Sequence, residues 1–204
     1  MQRPKLPEIL FRRRFERQTL PGEVPGTVDP PVDAQAPRIH VMSYSGDTFQ
    51  EVEVELISEI AAFLDEQRVT WINIDGLADA DVIRLCGDLF DLHPLALEDV
   101  THVHQRAKVE DYDDYLFVVV RMVCPGDQLD TEQVSLFIGK SFLLTFQERT
   151  GDCLDPVRNR LRHDRGRIRQ LGADYLAYSL IDAVIDGYFP VLEDYGNRLD
   201  KLEV

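Results

Sequence analysis

From Arg38 onward the chain alternates apolar and polar residues in RIHVMSYS and EVEVELI, the period of two that a half-buried strand requires. VTWINIDG is a further strand, ended by Gly76. Between Asp79 and Leu92 the period changes. Val82, Ile83, Leu85, Cys86, Leu89 and Phe90 recur at helical spacing behind Asp79, a residue type that caps helix N-termini, which predicts a helix packed on a sheet. Strand patterns return in KVE, YLFVVVRMV, EQVSLFIG and SFLLTFQE. The unbroken apolar run Leu116 to Val120 predicts a central strand covered on both faces. Gly139 and Lys140 read as the turn of a hairpin, and Asp111, Asp113 and Asp114 as the turn between KVE and YLFVVV. DPVRNRLR predicts a helix with Asp155 as cap and Pro156 in the first turn.

From Ala173 to Val204 an apolar seam runs through Leu176, Leu180, Ile181, Val184, Tyr188, Val191, Leu192, Tyr195, Leu199 and Leu202. One long helix is expected, bent at Pro190, which deletes a backbone donor. No stop signal follows Lys201, so the natural protein is expected to continue. At the other end, seven of the eleven prolines lie in the first 37 residues, without a sustained apolar period. This leader, with its cluster Arg12, Arg13, Arg14 and Arg17, reads as a mobile tail and linker. The expected organisation is a flexible tail over 1–37, an α/β domain over 38–170, and the first part of a long helix over 171–204.

Charge narrows the partners. With 37 acidic against 22 basic residues the net charge is -15, which repels a phosphate backbone and argues against nucleic acid. Cations are the natural counterparts. Three widely spaced cysteines, Cys86, Cys124 and Cys153, indicate neither a disulfide framework nor a structural zinc site. No apolar run approaches the roughly 18 to 20 residues needed to cross a bilayer, so the segment reads as soluble.

Carboxylates dominate the candidate chemistry. In LHPLALEDV, His93 is a possible cap and Pro94 takes the first helical position, which sets Glu98 and Asp99 at the exposed end of a short helix. Neighbouring helical residues point about 100° apart, so the two should serve different ligands or surfaces. On the last helix Asp182, Asp186, Glu193 and Asp200 return to one face, an acidic stripe that a dication or a basic partner would relieve, and that is otherwise a solvated face. Carboxylates without nearby Cys or His favour hard ions, magnesium or calcium. His102 and His104 would share a face if extended, a geometry that can hold a transition metal, although a surface or hydrogen-bonding role is the blander reading. GDTFQ, IDGLAD and FIGKS make no P-loop, dinucleotide fingerprint or nucleophile elbow, and no catalytic constellation can be assembled.

Four strings in register, HPLALEDVTHVHQRAKVE, EQVSLFIGKSFLLTFQE, GDCLDPVRNRLR and ADYLAYSLIDAVIDGYF, resemble the soluble N-terminal part of the CorA magnesium transporters, from Trp71 to the end. The chain departs from the commonest pattern at His102, where asparagine is familiar, and at Ala107, where proline is. The resemblance implies an α/β fold, an α/β/α sandwich with a mixed central sheet followed by the start of a long stalk helix. It further implies a homopentameric channel of the inner (plasma) membrane, this domain being its cytoplasmic funnel. The membrane helices and the GMN pore signature would then lie beyond Val204.

The resemblance also implies regulatory Mg2+ between neighbouring subunits, the matching ligands being Asp99, Glu98 and Asp182, with Asp186 as an outer candidate one turn on. Co2+, Ni2+ or Zn2+ are the other candidate ions, and His102 beside the site favours them. The implied device is feedback rather than enzymatic turnover: bound ions hold the closed ring, and their loss lets like charges loosen it. The rivals are a ZntB-type zinc transporter, a soluble metal-dependent hydrolase and a pure assembly scaffold.

Overall fold

In the computed structural model, which describes residues 22, 24–124 and 130–201, seven strands form one sheet in the order β2-β1-β3-β7-β6-β5-β4. The strands are β1 Arg38–Tyr44, β2 Phe49–Val54, β3 Val69–Asp75, β4 Lys108–Asp111, β5 Leu116–Cys124, β6 Asp130–Ile138 and β7 Phe142–Gln147. Only β3 and β7 run parallel, Asn73 standing opposite Thr145; every other pairing is antiparallel, so the sheet is mixed. The parallel pair is central because β3 leaves the sheet through helices and β7 returns after the β4-β5-β6 meander.

Side chains alternate between two separate cores, as the period of two requires. On one face Ile72, Ile74, Phe117, Val119 and Phe137 pack against α1 (Ile57–Ile60), α2 (Ala80–Phe90) and α3 (Pro94–Thr101). On the other, Trp71, Val118, Met122 and Leu136 pack against α4 (Asp155–Arg162) and α5 (Ala173–Asp186). The result is the expected α/β/α sandwich.

The start signals act as their chemistry dictates. Asp79 Oδ1 accepts the amide hydrogens of Asp81 and Val82 at the head of α2. Gly139 turns β6 into β7, its amide donating to Phe142 O at 3.0 Å. Asp113 takes a left-handed φ of 61° between β4 and β5, its amide held by Asp111 Oδ1. One expectation needs correction: Asp155 is the first residue of α4, not its cap, and Leu154 holds the cap position. Asp152 fixes that corner instead, accepting from Leu154 N at 2.9 Å and gripping Arg158 through both of its oxygens. Asp155 is left to pair with Arg158 from one turn away.

The expected long terminal helix is present as α5 and α6 (Tyr188–Asp200), the fault in its hydrogen-bond pattern falling at Gly187, one turn before Pro190. The displacement has a simple cause. A proline obstructs the carbonyl four residues before it, here Asp186, so the fault opens one turn upstream, while Gly187 itself keeps helical angles of φ -59° and ψ -20°. The seam is buried through Leu176, Leu180 and Val184, but Leu192 and Leu199 are exposed and no described residue of α6 is buried. The basic stretch over 12–17 and the helix end over 202–204 lie outside the described residues. Residues 24–37 of the leader lie against the domain: Val28 is buried in the core, Arg84 Nη2 donates to Val28 O, and Ala78 N donates to Gln35 O.

Candidate functional site

Helix α3 is eight residues long and fixed at both ends. His93 Nδ1 accepts from Leu95 N at 3.2 Å and Pro94 occupies the first turn; at the far end Thr101 Oγ1 donates to Glu98 O. Ala96, Leu97 and Val100 face the core. Leu97 comes so near α2 that a Cβ added at Gly87 would stand 2.4 Å from its Cδ1, so a larger residue there would have to push the leucine side chain aside. Burial of that face turns Glu98 and Asp99 toward the surface, where they remain about one-fifth exposed.

The two carboxylates have different partners. Glu98 Oε2 accepts the Gly26 amide hydrogen at 2.6 Å, and its Oε1 lies 3.7 Å from His102 Nδ1. Asp99 Oδ1 accepts from Gln105 Nε2 at 2.8 Å, and Oδ2 accepts from Lys108 Nζ at 2.5 Å. Lys108 also donates to Glu110 Oε1 at 2.8 Å. Behind them lies buried Gln133, whose Nε2 donates to Asp99 O and whose Oε1 accepts from Gln105 N.

Asp182 and Asp186 lie on the exposed side of α5, across the sheet from α3, and Glu193 and Asp200 are exposed on α6. A single chain therefore does not bring Asp99 and Asp182 together. Among the described residues no three His, Cys, Asp or Glu side chains converge as a metal centre. The donor chemistry still suits a hard ion: a half-buried carboxylate supplies oxygen ligands, and magnesium commonly takes one or two carboxylates and keeps several waters. His102 and His104 are not an extended pair. The chain turns at the end of α3, with His104 N donating to His102 O at 2.8 Å, so the extended backbone on which that pairing depended is not formed here.

Lys108, Gln105, Gln133 and Gly26 were not foreseen as parts of this corner. For two of them the signal is tertiary: Gln133 reaches Asp99 from 34 residues away, and Gly26 reaches Glu98 from 72.

Residues 66–204 match the model of the family described as CorA-like Mg2+ transporter protein. The chain belongs to this family. It is 46% identical over 168 residues to the cobalt/magnesium transport protein CorA of Thermotoga maritima, covering 81% of this chain and 48% of that protein. It is 33% identical over 133 residues to the putative metal ion transporter YfjQ of Bacillus subtilis, covering 65% and 41%. The chain thus spans about half the length of these two relatives. The fold is shared with the full-length CmaX protein, at a TM-score of 0.67 and 16% identity over 82% of this chain and 51% of that one. It is also shared with the soluble domain of CorA from Methanocaldococcus jannaschii, at 0.60 and 13% over 80% and 62%. The CorA family is one of transporters, not enzymes. No helix among the described residues is long and apolar enough to cross a membrane.

Proposed function

We propose that this domain is the cytoplasmic, Mg2+-responsive part of a CorA-type magnesium/cobalt transporter of the plasma membrane. Dications held between protomers of a homopentamer stabilise its closed state. The observation that carries this reading is the placement of Asp99 and Asp182 on opposite faces of one sheet. An ion that uses both must bridge two chains, so its binding energy becomes association energy. Glu98 accompanies Asp99 in this reading, and Asp186 lies one turn from Asp182 as an outer partner.

Single weak sites switch poorly. An ion at a concentration near its Kd stabilises the bound state by about 0.4 kcal/mol per site. About ten sites around a ring supply roughly 4 kcal/mol, near the ~5.5 kcal/mol that moves a gate from 1:99 to 99:1. The names of the relatives, which mention cobalt, magnesium and metal ions, support a divalent cargo.

The test is thermal unfolding of the chain in MgCl2 against NaCl of equal ionic strength. Expected is a rise in Tm specific to Mg2+, with a parallel rise in Co2+, that Asp99→Asn and Asp182→Asn each diminish. Equal curves in the two salts would refute the reading.

A further inference from the structure

Asp99 already has a cation. Lys108 opens β4, and residues two apart on a strand share a side, so Lys108 and Glu110 point the same way and the ammonium lies between Glu110 and Asp99. Phe117 stands opposite Glu110 in β5, and Lys108 Nζ lies 5.3 Å from the centre of its ring. Gln105 holds the other oxygen of Asp99, and the Gln133 amide fixes the backbone carbonyl beneath it. Asp99 is thus held facing Lys108 by these neighbours, and the ammonium has a second acceptor, Glu110, two residues along its own strand.

Resting on the function proposed above, we propose that Lys108 is a built-in competitor for the cation at Asp99, which a dication fills only by displacing the ammonium onto Glu110. A tethered charge acts at a high local concentration, so it raises the ion concentration at which Asp99 fills without blocking the site. It also selects by charge. A monovalent ion offers Asp99 no more attraction than the ammonium it must move, whereas a dication doubles the Coulomb term at equal distance. Glu110 keeps displacement cheap, because the ammonium leaves one carboxylate without entering water unpaired.

The experiment is a calorimetric MgCl2 titration of the 204-residue chain at constant ionic strength, with the parent, Lys108→Met, Glu110→Gln and Arg106→Gln. Arg106 is exposed in the same loop and controls for the general field. Lys108→Met is expected to lower the Mg2+ Kd by about fivefold, Glu110→Gln to raise it, and Arg106→Gln to shift it by less than about twofold. Because Lys108→Met can also disturb the corner, the parent is titrated in parallel by NMR. The Lys108 ammonium and Gln105 side-chain amide signals should move together along the Mg2+ binding curve. Asp99-dependent binding in the parent combined with an unchanged Kd in Lys108→Met, or equal tightening by Arg106→Gln, overturns the competitor and leaves the functional reading standing. A parent titration with no Asp99-dependent Mg2+ signal in either measurement overturns the functional reading and the competitor with it.

Discussion

Tyr188, the first residue of α6, donates its phenolic hydrogen to the backbone carbonyl of Arg121 in β5 at 2.8 Å. The bond ties the faulted end of the terminal helix to the sheet beside Gly187. Arg121 in turn donates to Val103 O and Thr131 O, so one residue joins the end of α3, the start of β6 and the helix junction. Tyr188→Phe removes the donor and little else. Stability should fall by about 1 kcal/mol in urea denaturation, and amide exchange should quicken around 185–190 before it does elsewhere.

Arg158 is nearly buried, gripping Asp152 through both guanidinium nitrogens and lying 5.3 Å from the Trp71 ring centre. Burial alone would push the Asp152 carboxyl up, but the hydrogen bonds and charge of Arg158, with the hydrogen bonds from Gln147 and Leu154, together outweigh it and hold the carboxyl below its ordinary value. Its contribution to stability is therefore present above the unfolded pKa and lost as pH falls through the folded one. Arg158→Met should cost about 3 kcal/mol at neutral pH, since it strands a buried carboxylate. Adding Asp152→Asn should recover part of the loss, which a double-mutant cycle by urea denaturation reads directly.

Glu132 has a side chain only 1% exposed beside Arg149, and burial raises its pKa from 4.5 to about 7 against the hydrogen bond from that arginine, with Glu148 and Asp152 adding to the rise. The folded state thus prefers the protonated acid. Its stabilising effect is full below about pH 4.5 and is lost as pH rises through about 7. Glu132→Gln should flatten the fall in stability across that window, measured by chemical denaturation at a series of pH values, and should leave the chain at least as stable as the parent at pH 8.

Gly76 ends β3 with φ +99°, and a Cβ there would lie 2.4 Å from Ala36 O and 2.6 Å from Gln35 O. Both the conformation and the space are closed to alanine, because the obstructing atoms are backbone. Gly76→Ala is expected to cost about 3 kcal/mol and to loosen residues 24–37 from the domain, which limited proteolysis would reveal as earlier cleavage there.

Much of the architecture was legible because it is written in local periods. Asp79, His93 with Pro94, and the turns at Gly139 and Asp113 each carry their conformational instruction within a few residues. Short-range rules failed where the decisive partner is distant or displaced. Asp155 looked like a cap because aspartate favours that position, but Asp152 reached the α4 corner first through Arg158. The fault in the terminal helix lies at Gly187, because Pro190 acts on a carbonyl one turn behind itself. At the candidate site the carboxylates Glu98 and Asp99 stood out by residue type and position. Their neighbours did not: Lys108 reads as an ordinary strand-edge lysine, and Gln133 as a polar residue in a buried strand, until the fold sets both beside Asp99.

The parallel ladder between β3 and β7 also constrains how the sheet can assemble. Asn73 and Thr145 hydrogen-bond across a sequence separation of 72, whereas β5, β6 and β7 are joined by short connections. Closing so long a loop costs entropy before any pairing repays it, so the β5-β6-β7 meander should form early and receive β1-β3 late. Until that docking, β7 offers a bare apolar edge, Phe142, Leu143 and Leu144 at its start, and the half-built sheet is then most exposed to pairing with the wrong chain.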